Sequence, residues 1–392
     1  MKFLKRLVLS AFFISTLSLV GTSANAACKA RLGDFDWSSA NIHTAITSFI
    51  LEKGYGCNVT VTKGSTTPIM AAHYDGQLDV ITEVWYDNII ANYEPHVEAG
   101  TIKNIGVNTP DSQQAFYVDK TTADKYNLKS VEDMKDPKIA ALFKDPENPS
   151  KGRMTSCISG WTCYTVNLVK QKEYGLDKLY TNFDPGSGGA LDAAIAGAFA
   201  KKKPIFTYYW APTGLMGKVD LVRLTEPKWS KKCWDDMSAV VEKIKAEGPE
   251  AYTKSCASEY RDMALTKSVL TKWAAAHPAE TKFLSQYSIP TATVNRMLAF
   301  YEDESDGDMD LTAREYLKSE SAWTKWAAAH PAETKFLSQY SIPTATVNRM
   351  LAYYEDESDG DMDLTAREYL KSESAWTSWV PADVAKKVKA AL

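Results

Sequence analysis

The chain has 392 residues, enough for about two domains, and 49 acidic against 45 basic side chains give a formal net charge of −4. No basic stripe runs through it, which argues against a nucleic-acid partner. Beyond the N-terminus no segment is apolar enough to span a bilayer, which needs about 20 residues.

The first 26 residues read as a secretory signal peptide. Lys2, Lys5 and Arg6 form a basic end, residues 7–20 are apolar, and Ala24, Asn25 and Ala26 fit a small-x-small cleavage site. Asn25 stands where a lipoprotein signal wants Leu, against a lipid anchor on Cys28. Cleavage leaves 366 residues and moves the net charge from −4 to −7, because three positive charges and no acids are lost. All six cysteines (Cys28, Cys57, Cys157, Cys163, Cys233, Cys256) follow that point. An even count in an exported chain predicts three disulfides, for which nearest-neighbour pairing is the simplest arrangement.

The mature chain then alternates strands with amphipathic helices. "ARLGDFDW" is a strand running into a loop, and residues 38–53 are helical with Ile42, Ile46 and Ile50 on one face. "CNVTVTK" alternates at period two as a second strand. "GSTTPIMAAHYDGQLDVITEVW" reads as loop, helix, turn and a buried strand ending at Trp85. This order predicts a mostly parallel α/β sheet, whose ligands sit at the C-terminal ends of strands. "GVNTPDSQQAFYVDK" is a crossing segment into a second α/β unit containing "GRMTSCISGWTC", "GSGGALDAAIAGAFAKKKPIFTYYWAP" and "VDLVRL". Residues 228–267 read as mixed and helical. The expected layout is a first lobe over 27–112, a second over 113–262 and a return over 263–392.

The return carries a tandem repeat of 53-residue period, 271–323 and 324–376, whose copies differ only at Phe300 and Tyr353. Repeat solenoids need three or more diverged copies, so two near-identical ones read as a recent segmental duplication or an assembly error in the sequence itself. Pro278 suits the first turn of a helix bearing Phe283, Leu284 and Tyr287, and Thr291 is placed to cap one bearing Val294, Met297 and Leu298. Thr312 and Glu315 form a candidate capping box ahead of Tyr316 and Leu317. Only one copy can fill one docking site, and the first follows directly from Leu270. "EDESDGDMD" fails as a calcium loop: with Gly307 at its sixth position, Ala313 stands where a bidentate Glu belongs.

Four tryptophans, Trp37, Trp85, Trp161 and Trp210, fall just after strands or inside a Gly-bearing loop. If strand ends face one cleft, the four indoles converge on it. Indole faces attract cations, and a quaternary ammonium, which has no N–H to donate, suits such a cage. A zwitterion also needs anion donors, and the backbone N–H groups of Gly160, Trp161, Thr162 and Cys163, on a turn into a helix, can supply them. Within "SCISGWTC" the six-residue spacing excludes a Cys-x-x-Cys redox pair, and the lack of a nearby His excludes a zinc knuckle. A bridged loop that fixes the turn remains. Trp273, Trp323, Trp326, Trp376 and Trp379 lie in helical segments as packing residues; Trp229 and Trp234 are left open.

These stretches resemble the glycine-betaine-binding substrate receptors of ABC importers, which have the type II periplasmic binding fold. "SCISGWTC" is similar to the family's Cys-containing Gly-Trp loop, "KKKPIFTYYWAP" to its Pro-and-Trp segment and "DVITEVW" to its strand ending in Trp; "DPKIAALFKD" and "YVDKTTADKY" also match. The likeness runs roughly from Cys28 to Trp323. It implies a two-lobed α/β fold, Trp85, Trp161 and Trp210 as a cation box, and the N–H groups of Thr162 and Cys163 on a carboxylate. Trp37 matches an aromatic of choline- and betaine-type relatives. Where some relatives carry a ligand-contacting His, this chain has Ile89. Glu83 stands close to the box, where a carboxylate favours net-positive ligands such as choline.

The expected role is an extracytoplasmic receptor, monomeric and without cofactor or metal. It would pass glycine betaine, choline, carnitine, trimethylamine N-oxide or dimethylsulfoniopropionate to a membrane permease, closing about hinges near 108–115 and 262–266. A secreted carbohydrate-binding module is the competing class, since Trp-rich exported proteins often stack sugars. A hydrolase reading has no support in the pattern. The five histidines have no metal spacing, and the chain has no Gly-x-Ser-x-Gly elbow.

Overall fold

The computed structural model describes residues 28–319, 362–372, 374–378 and 382–391. The expected signal peptide and most of the second repeat copy lie outside the described residues.

The first half opens with β1 (Lys29–Phe35), α1 (Ser38–Phe49) and a π-helical turn, Ile50–Gly54. β2 (Asn58–Gly64), α2 (Thr66–Tyr74), β3 (Val80–Val84) and α3 (Tyr86–Glu98) follow. β4 (Ile102–Asp119) then runs for 18 residues into α4 (Lys120–Tyr126) and the short α5 (Pro137–Ala140). The second half continues with β5 (Gly152–Thr155), α6 (Thr162–Tyr174), β6 (Tyr180–Phe183), α7 (Gly188–Ala200) and β7 (Phe206–Ala211). β8 (Leu221–Arg223), α8 (Lys231–Glu247) and β9 (Met263–Leu270) lead back to the first half. There α9 (Thr271–Ala276), α10 (Pro278–Gln286), α11 (Thr291–Asp303) and α12 (Met309–Ser319) form the first repeat copy.

The strands join in the order β2-β1-β3-β9-β4-β7-β5-β6, with β8 on β4. β1 is parallel to β2 and β3, and β5 to β6 and β7. β4 and β9 are the antiparallel members. The stretch read as a crossing segment is therefore part of one long strand. The first part of β4 pairs with β9 from Ile102↔Leu270, and its last part pairs with β7 from Gln113↔Ala211 to Val118↔Phe206. The β4–β9 register slips between Asn104 and Val107, Val107 and Thr109, and Thr109 and Ser112. Such irregularities bend and twist a strand, and here they fall where the chain passes between the halves. Residues 228–267 are only partly helical: α8 ends at Glu247, and β9 occupies the end of the stretch.

β3 and β7 are buried along their whole length, as central strands of a sheet covered on both faces are. A second apolar cluster joins Ile42 and Ile46 of α1, and Ile50 of the π-helical turn after it, to Tyr287, Val294, Met297, Leu298, Tyr316 and Leu317 of the first repeat copy. Two sequence expectations about caps fail. Pro290, not Thr291, is the N-cap of α11. Asp308 caps α12 by accepting from the Leu311 N–H at 2.8 Å, while the Thr312 hydroxyl is taken by the Asp308 carbonyl. A carboxylate at the true N-cap meets both the orphan donors and the helix dipole, so it displaces the hydroxyl one turn on. The disulfides are Cys28–Cys57, Cys157–Cys163 and Cys233–Cys256.

Candidate functional site

Three of the four strand-end tryptophans are delivered by the same local event, a buried strand breaking into a turn before a helix. Trp37 follows β1 and precedes α1; Trp85 is the N-cap of α3, straight after β3; Trp161 is the N-cap of α6. Trp210 differs, lying inside β7 one residue before its end. All four line one cavity, together with Phe35, Thr66, Val84, Asn88, Ile89, Thr162, Cys163 and Tyr208. Its free space, counted out to the open mouth and including the solvent there, is about 470 Å³.

The indoles meet edge to face. Trp161 lies 5.1 Å from Trp37 at 72° and 5.3 Å from Trp210 at 84°. Phe35 stacks on Trp37 at 4.4 Å, and Tyr208 backs Trp210 at 6.2 Å. Perpendicular rings present their π faces in more than one direction, which suits a cation with no hydrogen to give. Trp161 also ties the halves together, its Nε1–H donating to Asp36 Oδ1 at 2.5 Å.

The Cys157–Cys163 bridge closes the loop that carries Trp161. Of the four N–H groups singled out in the sequence, that of Trp161 is used by the turn, donating to the Ile158 carbonyl at 2.8 Å. Thr162 and Cys163 open α6, where first-turn N–H groups have no acceptor inside the helix. Both line the cavity, and the buried Thr162 Oγ1 has no hydrogen-bond partner among the described residues. This end of the cavity can therefore receive an anion. Gly160 is outside the lining. A Cβ on it would come within 2.8 Å of Ser65 Cβ, so it marks a close approach of the two halves.

Glu83 is fully buried and does not line the cavity. It lies behind two of the indoles: its Oε1 accepts from Trp37 Nε1 at 2.8 Å, Trp85 Nε1 at 2.9 Å and Ser39 Oγ at 3.0 Å. Burial pushes its carboxyl up to about 7, against the pull of these three donors. Ile89 is an apolar part of the lining.

Phe35, Thr66, Asn88 and Tyr208 were not singled out in the sequence. Asn88 exchanges amide hydrogen bonds with Gln114, which also accepts from the Tyr208 hydroxyl at 2.8 Å. This network links the lining to β4. The "TYYW" run of β7 was its only sequence signal. Trp234 and Trp273 are core residues held by carbonyls of Asp87 and Lys29. Trp229 lies 4.2 Å under the Arg261 guanidinium.

Among the described residues no helix is long and apolar enough to cross a membrane. Residues 29–319 match the family described as the substrate binding domain of the ABC-type glycine betaine transport system. The chain is 24% identical over 230 residues to a glycine betaine/proline betaine-binding periplasmic protein of Salmonella typhimurium, spanning 57% of this chain and 67% of that protein. It is 28% identical over 213 residues to the protein so named from Escherichia coli, spanning 52% and 60%. Its fold is similar to that of a choline-binding ABC-transporter protein solved with choline, with a TM-score of 0.57 at 16% identity over 77% of this chain and 92% of that one. The match across almost three-quarters of its length makes the chain a member of the family of substrate-binding domains of ABC-type glycine betaine transport systems.

Proposed function

We propose that the protein is an extracytoplasmic receptor that binds glycine betaine and presents it to the permease of an ABC importer. The observation that carries this reading is the meeting of indoles from both halves beside the start of α6. Trp37, Trp85, Trp161 and Trp210 take the trimethylammonium group, and the Thr162 and Cys163 N–H groups, with the Thr162 hydroxyl, take the carboxylate. The periplasmic relatives named for glycine betaine and proline betaine support the ligand class and the compartment. Closure is a rigid-body motion about 108–115 and 262–266, where β4 and β9 pair irregularly. It brings Trp161 to Asp36 and Gly160 to Ser65.

Choline is the second reading, favoured by Glu83: a carboxylate behind the cage attracts a net cation more than a zwitterion. Titrating intrinsic Trp fluorescence with glycine betaine, choline, carnitine, trimethylamine N-oxide, dimethylsulfoniopropionate and an oligosaccharide tests the assignment. Saturable quenching at micromolar glycine betaine, without a response to the oligosaccharide, is expected. A response to the sugar alone would restore the carbohydrate-module reading.

A further inference from the structure

Glu83 is a buried carboxylate that serves two walls of the cage at once. One oxygen accepts from the indole N–H of Trp37 and of Trp85, residues 48 positions apart in the chain. The other oxygen is buried with no hydrogen-bond partner among the described residues. Three donors on one oxygen fix the indole planes. A negative charge at that point adds electron density to both rings through their N–H bonds and sets an attractive field behind them, in a medium that screens poorly.

From this geometry we propose that Glu83 is a positioning residue whose ionisation is coupled to capture of the ammonium, so that the cage takes its cation with release of a proton. The proposal rests on the cage reading above and extends it. An ammonium held against Trp37 and Trp85 stabilises the charged form of the carboxyl behind them. By linkage the same free energy strengthens binding wherever the carboxyl is already ionised. Burial holds the carboxyl up at about 7, so the exchange operates at neutral pH.

Among the titrating groups of this region, Glu83 is the one that holds the indole N–H groups of Trp37 and Trp85. From β1, Asp34 is the acidic neighbour that opposes its ionisation; burial raises the Asp34 carboxyl too, and Asn41 and Lys63 stand beside it. From α1, His43 is pushed down to about 3 by burial and stays neutral. Tyr287, from the first repeat copy, is raised well above the ordinary phenol range and stays protonated. Lys267 of β9 is pushed down to about 7 by burial, so it titrates in the same window, but it donates to the Val107 and Tyr287 carbonyls and not to Glu83. Asp192, at about 6, lines a different cavity beyond Trp210.

The test measures Kd for glycine betaine and for choline from pH 5.5 to 8, in the wild type and in Glu83→Gln. Neither ligand titrates in that range, so any slope belongs to the protein. Each unit by which the ammonium lowers the carboxyl pKa is worth up to about tenfold in affinity. We expect wild-type binding to tighten by roughly threefold or more across the range and the glutamine variant to be flat. Calorimetry of the wild type at pH 7 in two buffers of different ionisation enthalpy needs no variant and should show protons released on binding. Equal slopes in both proteins, or no proton release, would overturn the coupling while leaving the cage intact. A wild-type protein that binds neither ligand at any pH would overturn the cage reading itself.

Discussion

The two walls of the cavity are held by opposite means. In the first half, Trp37 and Trp85 hang from the carboxylate of Glu83, a charge taken out of water and kept near neutrality by its own burial. In the second half, the turn carrying Trp161 is closed by a disulfide and runs into the positive end of α6. One wall thus offers a negative potential behind π faces and the other a set of N–H donors. A zwitterion with its cation toward the first and its carboxylate toward the second is matched at both ends. Orientation in such a site comes from the difference between the walls and not from either alone.

The comparison is broken most severely by acting on the buried charge. Because the Glu83 carboxyl is raised in the folded protein, its contribution to stability is full below about 4.5 and is lost as pH rises to about 7. Between pH 4 and 8 the wild type's unfolding free energy should fall by roughly 3 kcal/mol more than that of Glu83→Gln. Parallel urea titrations of the two proteins check this, and identical pH slopes would contradict it.

Removing an indole acts next. Trp161→Ala deletes the ring that meets both Trp37 and Trp210. A desolvated cation–π contact reaches about 2 kcal/mol, so both glycine betaine and choline should bind roughly thirtyfold more weakly by calorimetry. Full affinity in that variant would end the cage model.

Thr162→Val separates the walls. It removes the hydroxyl that would donate to the carboxylate, at a cost of about 1.5 kcal/mol, the lower end for a hydrogen bond to a charged group. Glycine betaine should lose roughly tenfold in affinity while choline changes little; equal losses would place the carboxylate elsewhere.

The smallest effect belongs to the seam. Gly160→Ala brings a methyl within 2.8 Å of Ser65 Cβ and should weaken both ligands severalfold. Pairing it with Ser65→Gly should restore them. Failure of that rescue would show that the approach of the halves is not what limits binding.

Features written in neighbouring residues were legible before any coordinates. The Trp161 turn, its disulfide and the helix after it lie within "SCISGWTC" and the residues that follow, so spacing alone argued for them. The stripe of Ile42, Ile46 and Ile50, running from α1 into the turn after it, is likewise a local period, and it packs where such a stripe must, on apolar faces of the returning helices. The caps of α11 and α12 were misread because several polar groups compete within one turn, and which wins depends on where the chain bends.

Glu83 shows the limit best. Its position at the end of a buried strand was visible, but a strand alternates its faces, and the sequence left the direction of that side chain open. Only folding brings Trp37 and Ser39 onto the oxygen that also holds Trp85. Composition, strand-end indoles and the bridged loop, with the resemblance they carry, therefore pointed to the family and the kind of fold. Which oxygen holds which ring, which glycine is a seam and which N–H groups remain free were decided by tertiary structure. These depend on contacts between residues far apart in the chain, which no local pattern encodes.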